Sequence, residues 1–486
     1  MVVLIEAAMT TADPRYAVGG YDGKLGKLVN AGLTVVDSPT LEPELALASN
    51  IGRIDDLTWD VEIRPDARFS DGTPVLARDV AGTYNYMLDP NTESLFHKSL
   101  ADRFTKVTVT GERAVRFHLK APLATFLSDI EFGIVSFRDG APAPGASIGA
   151  GPFVVREITS THALLDANAN YFGNQPKLRH VEIKFVRDAG ARLLMLVGGS
   201  ADLIQNAARV DLVDELRAWP NIRIQSGPSV FLTYLLLNNA DPILRDKRVR
   251  QAIALAIDRP GIIAAKFAGR ARLATGLLPP THWAYATGMP SWELDRARAN
   301  RLLDEAGYRD PDGPGPRPRF SMVYKTSSDA FRVAVARTIA AQLAGVGIKV
   351  EVRPFEFATF FADVKKGTYQ LASMQTADIT EPDFYFTYFH SSWIPSPSNP
   401  DGYNRWRYVN AEVDRLTVLG RRELDVAKRK EIYGEVQRIV ADDVPVVPLF
   451  HEDNIVLTNA EVEGYTITPN ARLIGLRDAW KRVSGD

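Results

Sequence analysis

Between residues 320 and 352 the apolar residues change period twice, and this constrains the fold more than any other stretch of the chain. Residues 320–324 alternate as a strand, 330–344 carry helical spacing, Gly345 and Gly347 supply a stop, and 348–352 alternate again. A strand–helix–strand run of this length joins neighbouring parallel strands, so part of the molecule must hold a parallel or mixed sheet. Other segments agree with an α/β chain. Residues 57–63 and 107–110 have period two, the latter turning at Gly111-Glu112-Arg113 into 114–119 as a hairpin. Residues 77–87, 189–197 and 248–257 read as helices. The nearly unbroken apolar run 231–238 reads as a strand covered on both faces. With 486 residues the chain exceeds what one core supports, so two or three domains or lobes are expected. Gly/Pro-rich stretches at 138–151 and 310–318 mark a domain boundary and an exposed loop.

Composition removes several function classes. The 57 Lys and Arg balance 59 Asp and Glu to a net charge of −2, which gives no basic face for nucleic acid. There is no cysteine, so disulfides, thiolate metal sites and cysteine nucleophiles are excluded, although any redox compartment is permitted. No run approaches the roughly 18 apolar residues of a membrane span. The apolar opening, residues 1–9, lacks a basic start and is interrupted by Glu6, so it reads as a first strand, and a leader is expected to be absent from this chain.

Catalytic and metal motifs fare no better. Gly145-Ala146-Ser147-Ile148-Gly149 spells a nucleophile elbow, which requires a strand before the serine and a helix after it. Prolines and glycines flank it here, so a hydrolase using Ser147 is the unfavoured alternative to a plain loop. No Walker A sequence occurs, and Gly345-Val346-Gly347 follows a helix and has Val350 where a dinucleotide fingerprint needs glycine. The seven histidines lack zinc spacing, and the pairs Asp55-Asp56 and Asp442-Asp443 point apart on any regular element. No enzyme, metal or cofactor is expected.

Five segments in order carry a resemblance. They are Trp59–Arg64 with Ala67–Pro74 and Ala77–Val80; Gly149–Phe153 with Asn168–Gly173 and Pro176-Lys177; Arg248–Ile253 with Ala256–Arg259; Ala299–Tyr308; and Val444–Leu449. Together they resemble the family 5 extracytoplasmic solute-binding proteins that feed ABC importers of oligopeptides, dipeptides and nickel. Read physically, the motifs are scaffold: Asp71-Gly72 makes a turn, Trp59 and Phe69 fill a small core, and Arg250 pairs or caps locally. The resemblance implies an α/β, two-lobed periplasmic-binding-protein-like fold of type II, cluster C, with an extra subdomain on lobe one. Lobe one is expected at 1–34, 149–240 and 450–486, the subdomain at 35–148 and lobe two at 241–449. The crossings would fall near 238–241 and 448–452, and the lobes would close on a ligand by hinge motion.

The same resemblance implies a ligand site. Gln375–Phe384 is similar to the family's W-x-x-D-x-x-(D/E)-P motif, which puts the ammonium-holding aspartate at Asp378 and the acidic-Pro pair at Glu381-Pro382. A carboxylate suits an ammonium in a water-poor cleft, and a helix N-cap is the structural alternative. Gln375 replaces the motif's tryptophan, and the arginine that holds a dipeptide carboxylate has no counterpart but Lys325. Tyr403, Asn404 and Trp406 belong to a loop that the family places near the cleft. The expected function is that of the substrate-binding component of an ABC importer, monomeric and extracytoplasmic, delivering an oligopeptide or peptide-like solute to a membrane permease. A sugar, opine or metal chelate is the alternative solute, and a sensor or chaperone role on the same fold stays open.

Overall fold

The computed structural model describes residues 1–17, 20–92, 94, 96–145, 147–208, 212–313, 315–376, 379–400 and 402–482. The chain forms two compact units, one of Met1–Gly227 with Asn454–Asp486 and one of Pro228–Asp453.

The first unit is built on a seven-stranded mixed sheet. Its strand order is Ile222–Gly227, Asn454–Asn459, Leu203–Gln205, Val2–Ile5, His180–Phe185, His162–Ala167 and Phe153–Ile158. The opening apolar residues do form a strand, and it is parallel to both neighbours, with Val3 opposite Ile183 on one side and Leu203 on the other. Buried on both faces, Val3, Leu4 and Ile5 divide between two apolar clusters, one on each side of the sheet.

Within this unit a four-stranded antiparallel sheet carries a core of its own. Its strands are ordered Ala48–Asp55, Thr58–Ile63, Ala114–Leu119 and Phe104–Gly111, and helix Ala77–Leu88 covers one face. Phe69, Tyr84, Phe104, Phe117 and Phe126 are buried in this core, which runs from Leu33 to Ala150, and Trp59 stacks on Phe126 at 4.6 Å. The scaffold reading of Trp59 and Phe69 is therefore the observed one. Gly149 and Gly151 explain the glycine motif that follows. A Cβ on either would lie 2.2–2.4 Å from the backbone of Val29, so only glycine permits the approach to the end of helix Gly20–Val29.

The second unit holds a six-stranded sheet ordered Ala271–Leu273, Val446–Glu452, Leu232–Leu237, Leu371–Thr376, Phe320–Ser327 and Ile348–Phe355. The expected strand–helix–strand run is present as Phe320–Ser327, Ala330–Ala344 and Ile348–Phe355, with the two strands parallel in an eight-residue register. Arg250, on helix Lys247–Ala256, donates to the carbonyls of Leu244, Arg245, Asp443 and Val444, so it fastens two helix ends rather than facing a ligand.

The lobe boundaries differ from expectation. Strand Leu232–Leu237 lies between Leu371–Thr376 and Val446–Glu452 in the second sheet, so residues 228–240 and 450–453 belong to the second unit. An apolar run buried on both faces looks the same on either sheet, and nothing in residues 231–238 says which one they complete.

Candidate functional site

Each unit has a place where the strand order reverses, and ligands of open α/β sheets collect beyond the carboxyl ends of the strands at such places. In the second unit the chain runs from Phe320–Ser327 outward to Ile348–Phe355, then returns across the first of these strands to Leu371–Thr376. The reversal lies between strands 320–327 and 371–376. In the first unit the chain leaves Val2–Ile5 for His180–Phe185 on one side, then crosses to Leu203–Gln205 on the other.

The reversal in the second unit is polar. Thr326 Oγ1 and Ser373 Oγ lie 3.4 Å apart across the two strands. Gln375 is exposed and stands opposite Thr233, whose hydroxyl donates to Glu452 Oε1 at 2.6 Å. Arg332, in the first turn of helix Ala330–Ala344, donates to the same oxygen at 2.8 Å. Asp378 lies outside the described residues.

The residues that follow are fixed by two buried carboxylates. Glu381 accepts a two-pronged pair from Arg429 of helix Val426–Asp443 at 3.1 and 2.7 Å. Burial opposes the charge on Arg429, yet Glu381 outweighs it and raises the guanidinium pKa. Asp383 accepts from the Tyr433 hydroxyl at 3.2 Å and pairs with Arg421 at 3.1 Å. Asp383 occupies the N-cap position of helix Phe384–Phe389. Within the helix, Tyr388 bonds Thr376 at 2.5 Å, and burial pushes its phenol up to about 12.

The remaining expected ligand residues divide. Tyr403 is 40% exposed and contacts the rings of Tyr388 and Trp393, so it keeps a face open to solvent. The other three have different work. Lys325 Nζ meets Asp363 Oδ2 at 2.7 Å and the Thr368 carbonyl at 2.6 Å, and this contact is the main reason the Asp363 carboxyl titrates below its ordinary range. A lysine so engaged is a brace between strand Phe320–Ser327 and helix Phe357–Lys366, not a free cation. Asn404 is fully buried; its amide donates to the carbonyls of Phe389, His390 and Tyr408 and accepts from Tyr408 N, which closes the loop on itself. Trp406 is 1% exposed, stacked on Tyr388, tilted against Phe389 and edge-on to Tyr234. It lines an enclosed apolar cavity of ≈ 30 Å³, too small for a solute. These corrections share one cause: the decisive partners come from elements distant along the chain, which local sequence does not reveal.

One group of residues went unread in the sequence, in the loop after Val2–Ile5 of the first unit. There Asp13 and Arg15 form a fully buried pair at 2.6 Å, and the Arg15 guanidinium lies over the rings of Tyr16 and Tyr86. Asp13 accepts from Gly145 N and Arg15 donates to the Pro142 carbonyl, so the pair clamps the Gly/Pro loop expected to be a boundary. Ser147 sits beside that clamp with neither the strand nor the helix an elbow requires and with no histidine bonded to it among the described residues. The described residues contain no group of three or more His, Cys, Asp or Glu able to hold a metal ion, and no helix long and apolar enough to cross a membrane.

Comparison with known proteins agrees with this architecture. The chain is 29% identical over 454 residues to the probable di/tripeptide-binding protein 5 of Pseudomonas aeruginosa (strain UCBPP-PA14), covering 88% of this chain and 84% of the relative. The oligopeptide-binding protein AppA of Bacillus subtilis, solved in complex with a nonapeptide, superposes with a TM-score of 0.80 at 25% identity over 99% of both chains. NikA of Brucella suis, solved with Fe(III)-EDTA, shares the fold with a TM-score of 0.87 at 21% identity over 99% of both chains. Residues 40–396 match the model of the family described as bacterial extracellular solute-binding proteins, family 5, middle region. The chain belongs to the bacterial extracellular solute-binding proteins of family 5, which bind and deliver solutes and are not enzymes.

Proposed function

We propose that this protein captures an oligopeptide or peptide-like solute outside the cytoplasmic membrane, acting as a monomer that hands the solute to the permease of an ABC importer. The observation that carries the reading is the segment leaving the strand reversal of the second unit. It follows directly on Gln375 and Thr376 at the end of its strand and is tied down by the Glu381–Arg429 pair and by Asp383. Both of those carboxylates are engaged by cations and hydroxyls of the unit itself, and it is the resemblance to the family's motif that assigns a solute ammonium to Asp378. Relatives named for di/tripeptide and oligopeptide binding support a peptide over other solutes. Exposed Gln375 supplies an amide donor and acceptor in place of an aromatic wall, which favours a more polar solute.

Native mass spectrometry of the purified protein, followed by denaturation and identification of what is released, tests this directly. A ladder of peptide masses is expected. Asp378→Asn should weaken recapture of those peptides by about tenfold or more, the scale on which a charge-assisted hydrogen bond contributes to binding. A single defined non-peptide mass retained by both proteins would refute the peptide assignment.

A further inference from the structure

We propose that His282 is a positioning residue for the solute: its ring holds a hydrogen-bond donor ready for the Thr380 carbonyl, and capture of the solute closes that bond. The inference rests on the peptide reading above, in which the segment around Asp378 receives the solute, and it names the group that aligns this segment. His282 is only 3% exposed. Its Nδ1 accepts from the Ala284 amide at 3.1 Å, so the proton of the neutral ring belongs on Nε2. Burial is the main reason the ring is neutral, its pKa lowered to about 4; the Thr380 backbone acts against this and Arg429 with it. A backbone group that favours the protonated ring is one that turns its carbonyl toward it. Among the described residues, however, Nε2 is shielded from solvent with no partner in hydrogen-bonding geometry. A buried donor that faces a carbonyl without reaching it costs free energy, and a small shift of the segment removes that cost.

The ring is the fixed side of this contact. Its loop, which follows strand Ala271–Leu273, is fastened by residues of three helices. Arg259 donates to the Ala274 carbonyl at 2.9 Å, and the Tyr385 hydroxyl accepts from Leu277 N at 3.2 Å. Gln437 donates to the Ala284 carbonyl at 2.9 Å and accepts from Ala286 N at 3.1 Å. The segment, by contrast, is pinned at its two ends, at Thr376 by Tyr388 and at Glu381 by Arg429. Between these pins Ile379 is fully buried in the same apolar cluster as Leu277, Leu278 and Ala284, while no hydrogen bond joins the backbone of Ile379 or Thr380 to any described residue. Packing of Ile379 brings the segment against the loop, and His282 is the polar group there to align it. Asp378 is two residues from Thr380, so a solute ammonium held by Asp378 draws on the same short stretch of backbone.

Calorimetric titration of solute-free protein with trialanine, alongside thermal melting without it, tests the coupling on two variants. His282→Asn keeps an acceptor where Nδ1 stands but lacks the donor toward Thr380, whereas His282→Gln supplies that donor and loses the acceptor. His282→Asn should bind trialanine about fivefold more weakly than wild type, the scale of one neutral hydrogen bond, and His282→Gln should recover most of the loss. Without solute the order should reverse, with His282→Asn melting above His282→Gln because it retains the Ala284 contact. In wild-type protein carrying isotopically labelled histidine, the His282 ring N–H proton should move downfield when trialanine is added. A residue that only packs the core would make affinity follow melting temperature. Variant affinities that are equal, or that rank as the melting temperatures do, overturn the coupling and leave the peptide reading intact. A ring N–H signal unmoved by bound trialanine overturns it as well. Failure of the wild type to bind trialanine removes the peptide reading and the coupling together.

Discussion

Replacing Glu381 with glutamine isolates the brace under the ligand segment. The Glu381 and Arg429 side chains are 11% and 5% exposed, and two hydrogen bonds of 3.1 and 2.7 Å join them. Glutamine keeps the shape and one acceptor but leaves the guanidinium charge unbalanced beside Trp283 and Tyr433. Breaking a buried pair from one side costs about 3–5 kcal/mol, and the retained acceptor places Glu381→Gln near the lower figure. Urea unfolding of the variant and the wild type, followed by hydrogen exchange on peptides spanning 379–390, measures both the loss and its location. Exchange should accelerate there and in helix Val426–Asp443 while the strands of the first unit are unchanged. An apolar double replacement, Glu381→Leu with Arg429→Met, should recover most of the stability, since an apolar contact of similar volume replaces a buried ion pair at little cost. A loss under about 1 kcal/mol in the single variant would refute the reasoning, because it would mean the pair is solvated like a surface bridge.

Two further outcomes are expected. Glu131, in the first unit, is opposed by burial but held down to about 2 by Arg472 and Lys27, with Asp37 on the far side of Arg472. A carboxyl depressed in the folded state stabilises above its unfolded value near 4.5 and loses that contribution as pH falls toward 2, so about 2–3 kcal/mol should disappear across this window. Glu131→Gln should be less stable than wild type at pH 7, and melting temperatures at pH 7, 4 and 2.5 should show the gap closing; a constant gap refutes the linkage. Trp406→Ala should cost about 3–5 kcal/mol in urea unfolding, as expected for an aromatic packed on three neighbours; a loss below about 1 kcal/mol would refute the packing role and return Trp406 to the ligand-lining role the sequence suggested.

Much of the fold is legible in the sequence because periodicity is a local property. The run 320–352, the helix Ala189–Val197 and the hairpin closing at Ala114 all stand where their apolar spacing puts them. The lobe assignment of 232–237 was not legible, since a strand covered on both faces has no side to announce. The site was harder for a related reason. Lys325 and Asn404 are polar residues in promising places, but whether such a residue faces a ligand depends on what else reaches it. Asp363 and Thr368 reach Lys325, and the carbonyl ends of Phe389 and His390 reach Asn404.

The first unit is assembled from two distant parts of the chain, and this has a consequence for the order of events during synthesis. Strand Asn454–Asn459 inserts between Ile222–Gly227 and Leu203–Gln205, pairing with both, and Arg472 then reaches back to Glu131 and Asp37. Until that strand leaves the ribosome, the first 227 residues expose two unpaired strand edges on an unfinished sheet, a state prone to mispairing. The second unit is one continuous stretch, Pro228–Asp453. Its strands are all synthesised before Asn454–Asn459 emerges, while Leu203–Gln205 and Ile222–Gly227, made earlier, wait for that strand to complete their sheet.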